Sequence, residues 1–263
     1  MAGRTVLALA AFTLPFSVHA KRVCKITPSD PTWPSDYDWQ TLNSSINGRL
    51  SKTIPAASPC WPGNPFGSQV SCDSVGTNWT SGIFHAARPE SIDYPVWANN
   101  SCLPPGTPGY ERGQGCELGG LPEYIVNATQ EGHVATASKW ASGRNIRVSV
   151  KGTGHDMNGR SSGAFSVSIW TRHFQKLEFH SNWTLGHHDV VVAGSSHGLG
   201  DLLTSAQKMG KVVCTGQDPS VGLGGWTQGG GHGPLSGTHG LGSFQVVQLT
   251  VVTVRGDVLV RSY

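Results

Sequence analysis

Lys151 to Gly163 reads K-G-T-G-H-D-M-N-G-R-S-S-G, a glycine-rich stretch holding one histidine directly after the β-branched run Ile146, Val148, Val150. A second such stretch, Asp218 to Gly233, reads D-P-S-V-G-L-G-G-W-T-Q-G-G-G-H-G. Glycine lacks Cβ, so the main chain can take positive φ and peptide N–H groups can come up against a diphosphate without steric conflict. Each glycine also costs conformational entropy on folding, and 35 of 263 residues carry that cost. The glycines have no repeat period and cluster between strand-like runs. Two readings follow: loops that cradle one large phosphate-bearing ligand, or plain turn-rich connections. His155 adds a nucleophilic imidazole to the first.

The elements that must present these loops begin near Glu117. Before it, Lys25 to Gln114 is rich in Pro, Ser, Trp, Asn and Gly without a sustained apolar period, which predicts an irregular arm over residues 21–116. After it, Glu123 to Val126 reads as a strand. Thr129 is placed to cap a helix with Val134, Ala137 and Ala141 on one face, ended by Gly143. A buried strand at Ile146 to Lys151 completes a β-α-β unit with a right-handed crossover. The first glycine-rich loop then leaves the carboxyl end of a strand, where such units hold ligands. Ser166 to Trp170, Leu177 to His180, Val190 to Ala193 and Val212 to Cys214 read as short strands. Leu199, Leu202, Leu203 and Ala206 mark a helix closed by Gly210. Val246 to Val254 and Val258 to Val260 form a hairpin turned at Arg255-Gly256-Asp257.

Arg4, the apolar run Val6 to Phe16 and the small-x-small Val18-His19-Ala20 predict a signal peptide over residues 1–20, too short to span a bilayer. Asn43, Asn78, Asn99, Asn127 and Asn182 each open a glycosylation acceptor pattern. Six cysteines fit an oxidising compartment, with Cys60–Cys72 and Cys102–Cys116 the favoured local pairs and Cys214 a buried free thiol. A secreted, extracellular protein is expected. Net charge +3 with 13% charged residues gives no basic stripe, which argues against nucleic acid and membrane partners.

P-E-Y-I-V-N-A (122–128), K-G-T-G-H-D (151–156), R-S-S-G (160–163), S-I-W-T-R (168–172), V-A-G-S (192–195) and G-G-W-T-Q-G-G-G-H-G-P-L (224–235) occur in one order and spacing. In these pieces the chain resembles the FAD-binding domain of the vanillyl-alcohol oxidase superfamily, in its berberine-bridge-enzyme-like branch of secreted fungal FAD-linked oxidases. Cys24 to Ser35 resembles the N-terminal arm of the same fungal proteins. The resemblance implies an α+β fold: a PCMH-type FAD-binding domain of two α/β subdomains over residues 117–263, with an irregular, disulfide-tied N-terminal arm.

It also implies roles. The FAD diphosphate would lie on the amides of Gly152, Thr153 and Gly154, with Asp156, Ser161 and Ser162 beside them. His155 would bond the flavin's 8α carbon. Asp218, Val221, Gly222, Gly225, Gln228, Gly229, Gly230, Gly231 and His232 would line the isoalloxazine and ribityl chain. Asp218 stands where some members carry a second flavin-linking cysteine; a carboxylate cannot make that bond, so one covalent link is expected. Trp226 replaces a histidine and is expected to pack beside the flavin. Gly242 is followed by Ser243, Phe244 and Gln245 in place of Ala-Asp-Asn.

The expected reaction is hydride transfer from an alcohol, sugar or secondary metabolite to flavin N5, with oxygen as acceptor. Its substrate wall and catalytic base would belong to a further domain, so these 263 residues would be mainly the cofactor-binding portion and no base is assigned. Two alternatives stand beside this: a secreted glycoprotein that keeps the fold without catalysis, and a metal hydrolase using His187, His188 and Asp189. Neighbouring strand positions send the two rings to opposite faces, which argues against the latter, and no metal is expected.

Overall fold

The structure is a computed structural model that describes residues 24–262. The expected signal peptide lies outside the described residues. Strands β1 (Leu50–Lys52), β2 (Tyr124–Asn127), β3 (Arg147–Lys151) and β4 (Ser166–Trp170) form one sheet in the order β1-β2-β4-β3. β1 is antiparallel to β2, whereas β2, β4 and β3 run parallel. The expected β-α-β pair therefore has β4 inserted between its two strands.

Register divides this sheet into two unlike faces. Val126, Val167 and Ile169 share one face and pack with Trp39 and Leu42 of helix α1 (Asp36–Ser45) and with Ile46, the residue that caps its end. Helices α2 (Cys72–Asn78) and α3 (Gly82–Ala86) follow in the arm. Ala137 and Ala141 of α4 (Glu131–Gly143) complete the core, and the Trp39 and Tyr124 rings stack at 3.9 Å. The opposite face carries Ser149, Lys151, Ser166, Ser168 and Trp170, all buried. The arm covers it, because Lys151 Nζ donates to the carbonyls of His85 (3.0 Å) and Arg88 (2.7 Å).

Several expectations are corrected here. The arm is less irregular than composition implied: Ser35 and Asp38 form a capping box that starts α1, and β1 joins the main sheet. β3 is not a buried strand. It pairs on one side only, so Val148 and Val150 sit at the rim, 37% and 54% exposed. Thr129 is not the cap of α4; that position is Gln130, and Thr129 N–H points to His133 Nδ1 at 3.4 Å.

Val212 to Cys214 has no strand partner and forms no strand; Cys214 is a free thiol but only half-buried. The favoured disulfides Cys60–Cys72 and Cys102–Cys116 are both present, in a small arm core with Trp61 and Val75. β5 (Leu177–Asn182) pairs with β6 (His188–Ala193), and α5 (Leu199–Lys208) ends at Gly210 with φ +68°. The second glycine-rich stretch contains a helix, α6 (Leu223–Gln228). β7 (Gln248–Val252) and β8 (Val258–Ser262) form the expected hairpin, whose turn glycine, Gly256, seats against the Ala135 carbonyl of α4.

Candidate functional site

Three loops converge: residues 152–163 after β3, 194–198 after β6, and 218–224 leading into α6. Gly222 N–H donates to Thr153 Oγ1 at 3.0 Å. Leu223 N–H donates to the His197 carbonyl at 3.0 Å, Gly224 N–H to that of Ser195 at 2.6 Å, and Leu199 N–H to that of Val221 at 2.9 Å. Thr171 and Ser196 hydroxyls lie 2.9 Å apart at the base of the first loop. Glycine suits the close approach: a Cβ on Gly224 would stand 2.9 Å from the Ser195 carbonyl oxygen, where backbone would have to shift, and one on Gly222 would stand 3.1 Å from the Thr153 side chain, a tight contact.

The first loop holds a row of free donors. Peptide N–H groups of Gly152, Thr153, Gly154, His155 and Asp156 meet no acceptor among the described residues. Buried backbone donors are rarely left so, and Thr153 and Gly154 are buried. Gly154 has φ +97° and packs against Ile92 of the arm.

His155 stands in this row, and the structure joins it to residues far apart in sequence. Its Nδ1 lies 3.2 Å from Asp93 Oδ2, and its Nε2 lies 2.7 Å from Ser220 Oγ. Ser220 gives both its N–H (2.8 Å) and its hydroxyl (2.7 Å) to Asp218 Oδ1. Gly82 crowds the array, since a Cβ there would come 2.5 Å from Ser220 Oγ and 2.9 Å from His155 Nε2. The hydrogen bond from His155 holds the Asp93 carboxyl below its usual range despite burial, and those from Ser220 do the same for Asp218. Ser220 has one hydroxyl hydrogen and donates it to an ionised carboxylate, so its oxygen accepts from His155 Nε2. The residue types are those of a serine hydrolase, but the polarity is reversed: the serine proton faces away from the imidazole.

The remaining residues singled out in the sequence have mixed placements. Asp156 makes a two-pronged pair with Arg160, and Ser162 Oγ donates to the Gly120 carbonyl at 2.8 Å. Ser161 and Val221 are half-buried, and Gly225 is exposed with nothing within 4 Å of a Cβ. Gln228 Nε2 donates to the Gly224 carbonyl, while Gly229 and Gly230 N–H groups close the end of α6. Trp226 lies against Gly231 and Gly242 and donates to the His232 carbonyl at 2.9 Å. His188 pairs with Asn182 and Asp189 with Lys211; among the described residues no three side chains could together hold a metal.

Residues 122–262 match the family model described as FAD binding domain. The chain belongs to this family. It is 36% identical over 243 residues to the FAD-linked oxidoreductase ZEB1 of Gibberella zeae, covering 90% of this chain and 41% of that one. It is 35% identical over 245 residues to the VAO-type flavoprotein oxidase VAO615 of Thermothelomyces thermophilus, covering 91% and 42%. The crystal structure of VAO-type flavoprotein MtVAO615 from Myceliophthora thermophila C1 superposes with TM-score 0.83 at 33% identity, over 91% of this chain and 44% of that one. The chain thus spans about two fifths of the length of the curated relatives it matches. The fold is the VAO-type FAD-binding fold, as the sequence resemblance implied.

The residues present fit FAD. The free donors of 152–156 can take diphosphate oxygens. Sequence reading found both glycine-rich loops and the V-A-G-S piece but gave no role to Asp93, Ser195, Ser196 or Ser220. Asp93 lies in the arm with no local motif. Ser220 had a usable signal, since Asp-Pro-Ser favours the side-chain-to-backbone turn that Asp218 makes.

Proposed function

We propose that this chain is the cofactor-binding portion of a secreted FAD-dependent oxidase that acts on an alcohol, sugar or secondary metabolite, with FAD joined to His155 by one covalent bond. The observation that carries this reading is the row of free N–H donors at 152–156 with His155 standing in it. Bound FAD would accept a hydride at N5 and pass the electron pair to oxygen. Gly152, Thr153 and Gly154 would hold the diphosphate. His155 would fix the ring edge, and the covalent bond would raise the flavin potential and prevent loss of cofactor outside the cell. Asp218 has no sulfur and adds no second bond. Substrate and oxygen would be its small-molecule partners.

Two disulfides and exposed acceptor asparagines at positions 78, 99 and 182 support an extracellular, glycosylated protein, whereas Asn43 and Asn127 are half-buried. No helix among the described residues is long and apolar enough to cross a membrane.

The test is acid precipitation of the FAD-loaded chain followed by peptide mapping. The wild type is expected to retain FAD on the His155 peptide with none on the Asp218 peptide. His155→Ala should bind FAD but release it on denaturation, and Asp218→Cys should gain a second, cysteinyl link. Complete release of FAD from the wild type would refute the histidyl attachment.

A further inference from the structure

Both carboxylates around His155 come from outside its own loop. Asp93 belongs to the arm, two residues after a serine that bonds His85, and its N–H donates to the Gly154 carbonyl at 3.3 Å. Its main chain is thereby tied to the loop that carries His155. Asp218 reaches the imidazole only through Ser220. The two ends of the ring are therefore treated differently. Nε2 donates to a hydroxyl that is itself committed to Asp218, so this nitrogen keeps its hydrogen. Nδ1 faces a bare carboxylate, and the 3.2 Å contact is attractive only with a hydrogen between them.

We propose that Asp93 takes the Nδ1 hydrogen of His155 and so delivers Nδ1 as the nitrogen that bonds FAD, while Ser220 and Asp218 lock the ring in the Nε2–H form. This rests on the histidyl attachment proposed above. In the overall step one bond forms between Nδ1 and the flavin 8α carbon, and one C–H bond and the Nδ1–H bond break. The two electrons and two protons released leave on molecular oxygen as hydrogen peroxide. Asp93 holds the Nδ1 proton in passing and is regenerated. Asp218, unable to make a thioether, keeps a role as the end of the chain that orients the nucleophile.

The experiment follows attachment, not turnover: FAD is added to the flavin-free chain, and protein-bound flavin fluorescence is read in denaturing gels against time. Fluorescence quenching reports separately whether FAD still enters. Asp93→Asn keeps shape but loses the proton acceptor, and attachment should slow on the order of 100-fold, the size of a positioned proton transfer. Asp93→Glu should recover part of the rate. In the flavin-free wild type, nitrogen-15 correlation spectra of His155 should show hydrogen on Nε2, and Ser220→Ala should lose that preference. Attachment by Asp93→Asn at the wild-type rate, or a wild-type ring with hydrogen on Nδ1 alone, overturns the proposal. If Asp93→Asn does not fold, the spectra of wild type and Ser220→Ala decide. A wild type that never retains FAD instead removes the histidyl attachment itself.

Discussion

Lys151 shows how one buried group shapes both packing and pH response. It ends β3, is 1% exposed, and gives its amine to two carbonyls of the arm. Burial pushes its pKa down to about 7, with Glu90 opposing and Arg172 assisting. Since the unfolded value is near 10.5, the unfolded chain binds more protons between pH 7 and 10.5, and this group adds stability as pH rises through that window. Comparing urea unfolding of wild type and Lys151→Met cancels the titrations of groups that do not interact with this amine. Their difference should move in favour of the wild type by roughly 2 to 3 kcal/mol between pH 6 and 9. A pH-independent difference would show that the amine titrates normally.

At the scale of elements, the site is three connections pressed together, and its glycines serve two different ends. Gly194, after β6, has no room: a Cβ would lie 2.1 Å from the Phe174 carbonyl oxygen. Gly194→Ala is expected to cost about 2 kcal/mol or more in chemical denaturation, because backbone must move. Gly225 is the opposite case, exposed on α6 with open space around it. Gly225→Ala should raise the stability of the flavin-free chain by up to about 1 kcal/mol through helix propensity. As the open face of α6 is a candidate flavin contact, the same change should weaken FAD binding in a fluorescence titration. A stabilised variant with undiminished FAD affinity would remove Gly225 from the binding surface.

Across the whole molecule, apolar cover is uneven. The main core is enclosed by α1, α4 and the sheet, while the β7–β8 hairpin leaves Val254, Val258 and Val260 exposed at 77%, 49% and 55%. Phe244, just before it, is 77% exposed. A two-stranded sheet whose outer edges find no strand among the described residues, with an apolar surface of this kind, favours association. Size-exclusion chromatography with light scattering, after glycan removal, should show self-association that Val258→Lys with Val260→Lys relieves. A monodisperse wild-type monomer that binds no hydrophobic dye would count against it.

The sequence by itself determined the local features: both glycine-rich loops, the α4 and α5 segments, the terminal hairpin and the two short-range disulfides, each encoded within about fifteen residues by periodicity, turn chemistry or spacing. It also carried the family, through motifs whose order survives without coordinates. What it could not determine depends on partners distant along the chain. Edge or centre is decided by pairing, so Val148 and Val150 read as core but lie at a rim. α1 reads as part of a loose arm because most partners of its apolar positions lie far along the chain, in β2, β4 and α4. The setting of His155 is the clearest case. Asp93 is 62 residues away and Ser220 is 65, and neither belongs to a motif that points at an imidazole. Only folding the arm and the second loop onto the first puts a carboxylate at one ring nitrogen and a hydroxyl at the other.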